Sequence, residues 1–139
     1  MIQIKVPTDQ DVEKIYYDEE IFDRVSDDNT KEIKGSKLPW GKHFMLGGYL
    51  DNKIISLFDV NINGKAHFAV LKPYRRYARE ACKKSLDRVN FYTWAEIPVL
   101  YKGLINFTKK FGYAETSIAK KSHIKNGVAY DKIILERRV

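Results

Sequence analysis

The sequence has little of what usually ties a chain down from outside. A single cysteine, Cys82, excludes an internal disulfide. No apolar run approaches the roughly 20 residues that a membrane helix needs, and the N-terminus has no signal-peptide pattern. The protein is therefore expected to be soluble, without a membrane partner, and to work in a reducing compartment. His43, His67 and His123 are scattered and fall into no metal-ligand spacing. No Ser-His-Asp phrase or P-loop occurs, and there are no internal repeats, linkers or low-complexity segments. What remains is one domain over residues 1–139.

What is present excludes a disordered chain, since 44% of the residues are hydrophobic and 13% aromatic. The net charge of +7 is uneven: residues 1–40 hold 6 basic and 10 acidic residues, the remainder 19 and 8. Such asymmetry points to an anionic ligand or partner for the second part, against the plainer reading of a solvated basic face.

The chain is organised around residues 65–90. Residues 65–71 read as a strand, and Pro73 suits a first helical position because its missing N–H costs nothing there. Tyr74, Tyr77, Ala78, Ala81, Cys82, Ser85 or Leu86, and Val89 then recur at helical spacing as one buried face. Arg75, Arg76, Arg79, Lys83, Lys84 and Arg88 lie largely off it. A helix start offers unpaired N–H groups and the positive end of the macrodipole, so with these arginines a phosphate site is expected here. Cys82, on the apolar side, reads as core rather than nucleophile.

Before this stretch, residues 1–6 alternate as a half-buried strand that Pro7 ends. Thr8 reads as an N-cap opening one helix to about Val25, with Asp18, Glu19 and Glu20 on a solvated face. Residues 26–40 are expected to be irregular, with a short helix near 30–33 and Trp40 packed on the body. Residues 43–50, 53–61 and 65–71 predict three antiparallel strands, joined at Asp51-Asn52 and Asn63-Gly64 by two-residue hairpins. Gly47-Gly48 predicts a bulge or a close backbone approach. After the basic helix come a strand over 91–97 and a helix over 99–111 that turns Leu100, Leu104, Phe107 or Thr108, and Phe111 inward and stops at Gly112. A last hairpin, 116–123 with 128–138, turns at Asn126-Gly127. The strand–helix–strand order at the centre predicts a parallel junction in a mixed α/β sheet whose first half is antiparallel.

This order, with Arg76-Tyr77-Ala78-Arg79-Glu80-Ala81 after the central strand, resembles the GNAT (Gcn5-related N-acetyltransferase) fold along nearly the whole chain. The family's loop is Q/R-x-x-G-x-G/A, which Arg76 and Ala81 match at the ends, while Arg79 stands in the place of the central glycine. Phe107-Thr108-Lys109-Lys110-Phe111-Gly112-Tyr113 is similar to the family's C-terminal helix phrase. Together with Tyr74-Arg75-Arg76-Tyr77 and Ile97-Pro98-Val99-Leu100-Tyr101, it is most similar to divergent acetyltransferase-like proteins of tailed bacteriophages.

The resemblance implies acetyl-CoA as cofactor, with Val70, Leu71, Lys72, Arg75, Arg76, Tyr77, Arg79 and Ala81 as its binding residues. It implies acetyl transfer to an amine, with an acceptor site between the two central strands. Glu96 is then the candidate base, His67 the alternative. The family's tyrosine acid falls at Thr108, so Tyr101 is the candidate acid, with Tyr113 a further possibility. The alternative from the same branch is a catalytically silent virion or accessory protein contacting virion proteins or DNA. Location would follow: host cytoplasm or virion if phage-encoded, cytoplasm otherwise. Lys102, Lys109, Lys110, Lys120, Lys121 and Lys125 form a second basic group able to meet a nucleic-acid backbone without sequence preference.

Overall fold

The computed structural model describes residues 1–25 and 43–139. The expectations for residues 26–40, including the short helix and the anchoring of Trp40, lie outside the described residues. Two antiparallel sheets carry the fold. The first has the order β1 (Gln3–Lys5), β2 (Phe44–Leu50), β3 (Lys53–Val60) and β4 (Ala66–Val70). In the second, β7 (Val128–Arg137) lies between β5 (Thr93–Pro98) and β6 (Ala114–Lys125).

Local chemistry explains the turns. Asp51 and Asn52 take φ of 50° and 65°, and Asn126 and Gly127 take 52° and 77°, the paired positive values that join tight hairpins. The expected two-residue turn at Asn63-Gly64 is instead a longer loop. The Gly64 amide donates to the Asn61 carbonyl at 2.9 Å, and Asn61 Oδ1 accepts from the Asn63 and Lys65 amides (2.9 and 3.0 Å), so the side chain supports the turn. Gly48 does mark a register shift, while what crowds the two glycines is side chains rather than a second backbone. A Cβ on Gly47 would lie 2.7 Å from the Tyr49 ring.

The single helix expected after Thr8 is two, α1 (Asp9–Tyr16) and α2 (Glu19–Val25). Thr8 Oγ1 caps α1 by accepting from the Asp11 amide at 3.2 Å. Asp18 breaks the run because its Oδ1 accepts from the amides of Glu20 and Ile21 (3.1 and 3.2 Å) and caps α2. The acidic run expected on a solvated face thus opens a second helix, with Glu19 and Glu20 at its positive end.

The helix expected from Pro73 likewise starts later. Lys72–Tyr77 forms a 3-10 turn with Tyr74 outside helical dihedrals (φ −113°, ψ 16°), and α3 runs over Ala78–Leu86. α4 spans Lys102–Lys109, shorter than expected, and Leu100 is exposed ahead of it rather than inward. Phe91 and Tyr92, expected in a strand, are also exposed and precede β5.

The core has two parts on either side of β3, which is buried on both faces. On one, Ile54 and Leu57 pack with Val12, Ile15, Tyr16 and Ile21 of α1 and α2. On the other, Ile55, Phe58 and Val60 join Ala81, Cys82 and Leu86 of α3 and residues of the second sheet, among them Ala95, Ile97 and Leu135. The parallel junction expected at the centre is not a ladder. β4 and β5 are terminal strands of separate sheets and meet in one parallel bridge, Lys65 with Trp94. Bonds from Trp94 to the carbonyls of Gly64 and Asn63, each 3.0 Å, fasten that end. No helix of the described residues is long and apolar enough to cross a membrane.

Candidate functional site

Because β4 and β5 pair only at their start, a cleft separates them beyond it. Its volume is about 290 Å³. Residues 66–70 of β4 and 95–98 of β5 form its walls, and Leu104, Phe107 and Thr108 of α4, with Phe111 just after it, line one side. As edge strands, β4 and β5 turn unpaired backbone donors and acceptors toward this space. An apolar slot with backbone polar groups at its edges suits a chain of alternating methylene and amide groups.

The turn Lys72–Tyr77 lies past the far end of β4. Arg75 reaches the cleft and pairs with Glu20 of α2. Arg76 is exposed, its guanidinium 4.9 Å from the centre of the Tyr77 ring, and Arg79 is exposed on the first turn of α3. That turn has no side-chain cap. Of the residues expected at the phosphate site, Val70 lines the cleft and Lys72 is exposed beside it. Leu71 instead packs in the core under α1, and Ala81 is wholly buried under α3. Their side chains serve packing because the α-helix starts at Ala78, which puts Ala81 on its inward face.

Both candidate catalytic residues open on the cleft. Glu96 accepts from Lys132 Nζ at 2.6 Å and sits 3.6 Å from Lys65 Nζ. Burial works to raise its pKa, but Lys132 and Lys65 together outweigh burial and hold the carboxyl below its ordinary value. Glu96 is ionised but a weak proton acceptor.

His67 faces Asp59 across β3 and β4 and lines the same cleft. Burial, aided by the charges of Lys65 and His43, lowers its pKa against the opposing pull of Asp59 and Glu96. Its imidazole is neutral at pH 7 and able to take a proton. Asp59 itself is buried, accepting from Tyr16 Oη at 2.6 Å and sitting 2.7 Å from His43 Nδ1. Burial first, and Asp59 second, raise the Tyr16 pKa well above its ordinary value. This network was not legible in the sequence, because its members come from an α-helix and three separate stretches.

Tyr101 precedes α4, half-buried, with its ring edge-on to His123. Thr108, in the place of the family tyrosine, donates its hydroxyl to the Leu104 carbonyl at 2.8 Å. Tyr113 is buried, its Oη 2.7 Å from Thr93 Oγ1. Both hydroxyls are hydrogen-bonded within the protein.

Cys82 touches the cleft but is buried, and burial pushes its thiol up to about 12. It is no nucleophile at neutral pH. We expect a disulfide-exchange reagent at pH 8 to label Cys82 only as fast as the protein unfolds, as a stopped comparison with and without denaturant would measure. In the second basic group, Lys109 pairs with Glu115 (2.9 Å), Lys120 with Asp131 (3.7 Å) and Lys125 with Asp23 (3.0 Å), which lowers the charge available to a polyanion.

Two antiparallel sheets parted by a cleft, with a basic turn at its end, make a fold shared with solved N-acetyltransferases. The chain is similar over 97% of its length to spermidine N-acetyltransferase from Vibrio cholerae solved with CoA and spermine, at 14% identity, TM-score 0.71 and 94% of that chain. It is similar to the ribosomal-protein-S18-alanine N-acetyltransferase from Escherichia coli at 14% identity and TM-score 0.69, over 99% of this chain and 93% of that one. A candidate acetyltransferase from Acinetobacter baylyi ADP1 gives 12% identity and TM-score 0.77, over 100% and 93%. No family model and no curated protein matches the sequence.

Proposed function

We propose that the chain is an acetyl-CoA-dependent N-acetyltransferase, its donor held in the cleft between β4 and β5. The observation that carries this is the cleft itself: two edge strands splayed from one bridge, with a basic turn at the open end. Solved structures of the same fold hold CoA. Arg76 and Arg79, exposed at the start of α3, would take the phosphates of the donor, and the edge of β4 would meet its amide arm. A side chain at Arg79 in place of glycine keeps the backbone there from close approach, so the contact is through guanidinium groups.

The donor supplies an acetyl thioester. His67 would take the proton released as an amine nitrogen bonds to the carbonyl carbon and the carbon–sulfur bond breaks. Tyr101 would give a proton to the departing thiolate, leaving CoA thiol and an N-acetyl product. Glu96, held by two lysines, is better suited to fixing them than to taking the proton.

Calorimetric titration with acetyl-CoA at low salt tests this. We expect one micromolar site, weakened about tenfold or more by Arg76→Ala, in line with a lost charge-assisted hydrogen bond. No heat at millimolar ligand would contradict the proposal. The alternative, a silent bacteriophage virion or accessory protein, would give that result.

A further inference from the structure

Lys65 and Lys132 bring two ammonium groups to a single carboxylate in the cleft. Lys65 immediately precedes β4 and Lys132 lies on β7, and both ammonium groups turn to Glu96, at 3.6 and 2.6 Å. The side chains of Lys65, Lys132 and Glu96 are 26%, 19% and 17% exposed, and all three line the cleft. The two ammonium groups share that one carboxylate, and Lys65 Nζ, the more distant of them, also lies 5.7 Å from the centre of the Trp94 ring. Among the described residues no second carboxylate pairs with either lysine. Asp59 is committed to Tyr16 and His43, and Glu20 to Arg75. A charge so placed is costly unless something anionic answers it.

The donor phosphates are badly placed to do so. Five residues of extended chain separate Lys65 from Val70, roughly 17 Å at about 3.3 Å per residue. The lysines therefore belong to the other half of the cleft, beside His67. Lys65, just before β4, and His67 on it are two apart in extended chain, so they share a side at a spacing of roughly 7 Å. An anion held by the lysines would lie only a few bonds from an amine whose proton His67 takes.

We propose that Lys65 and Lys132 select the acceptor, an amine that also carries an anionic group, carboxylate or phosphate, a few bonds from its nitrogen. This rests on the acetyltransferase reading above and names its substrate class. Polyamines and simple alkylamines are disfavoured, because the two lysine ammonium groups repel a substrate that offers them no anion.

The test is calorimetric titration of the full chain, saturated with CoA, by β-alanine, phosphoethanolamine, n-butylamine and spermidine. At least one of the first two is expected to bind ten times more tightly than either cation, and which one does so decides between carboxylate and phosphate. Lys132→Gln and Lys65→Gln are each expected to weaken that binding about tenfold and to leave CoA binding unchanged, which also reports that the variants fold. Equal or tighter binding of spermidine or n-butylamine, no amine binding to the CoA-loaded chain, or indifference to both substitutions would overturn the proposal while the donor site stands. Failure of CoA itself to bind would remove the acetyltransferase reading as well.

Discussion

His67→Gln is expected to lower kcat by a factor of about 10² or more, the usual contribution of a positioned general base, while the Kd for CoA stays unchanged. The imidazole faces the cleft, and burial keeps it neutral where an ordinary histidine is already part protonated. Glu96, the acid that the sequence favoured, is ionised but stabilised in that form by Lys132 and Lys65, so its affinity for a proton is reduced. The pH profile separates the two. In the wild type the acidic limb of kcat/KM is expected below the ordinary histidine value. It disappears in His67→Gln and persists in Glu96→Gln. The same burial links acid to stability. As pH drops below the ordinary histidine value, the unfolded chain binds a proton that folded His67 resists, so stability falls until pH passes the lowered value. Denaturant titrations between pH 5 and 7 should show that slope reduced in His67→Gln. A kcat within a few-fold of wild type would remove His67 from the chemistry.

Leu135→Ala is expected to cost about 3 kcal/mol, within the usual range for emptying a buried leucine site. Leu135 is wholly buried on β7, the middle strand of the second sheet, and belongs to the cluster that joins that sheet to α3 and to the inner face of the first. At roughly 3 °C per kcal/mol for a domain of this size, Tm should fall by about 10 °C. Ile118→Ala, on the exposed edge strand β6, should stay within about 0.5 kcal/mol. Equal losses at the two sites would mean that the sheets are not joined through one core.

Most elements were legible because short-range chemistry set them. Thr8 as a cap, the positive-φ pairs at Asp51-Asn52 and Asn126-Gly127, and the buried face through Ala81, Cys82 and Leu86 all follow from residues a few positions apart. Where two local readings competed, periodicity chose badly. Asp18 lies within an apolar stripe that continues on both sides, so its role as a second cap was hidden. Pro73 fits the first turn of a 3-10 segment as well as of an α-helix, and apolar spacing cannot separate the two. The parallel junction failed for a different reason. Strand order fixes the direction of β4 and β5, but whether they pair or part depends on what lies between them, which is a matter of packing.

The site was legible only residue by residue. Glu96, Tyr101, His67 and Arg75 were each named from the sequence and are brought to one cleft. Their relative merit came from partners far along the chain: Lys132 lies 36 positions from Glu96 and Glu20 lies 55 from Arg75. No local pattern carries such pairings.

The most direct measurement is the mapping of backbone amide shifts as CoA is added to the labelled protein. If the donor lies between the splayed strands, the largest changes fall in Ala66–Val70, Lys72–Tyr77 and Thr93–Pro98, and saturate together. Changes confined to the outer lysines of α3 and β6, growing without saturation and vanishing with salt, would mean that CoA meets only a basic surface and would contradict the cleft as the donor site.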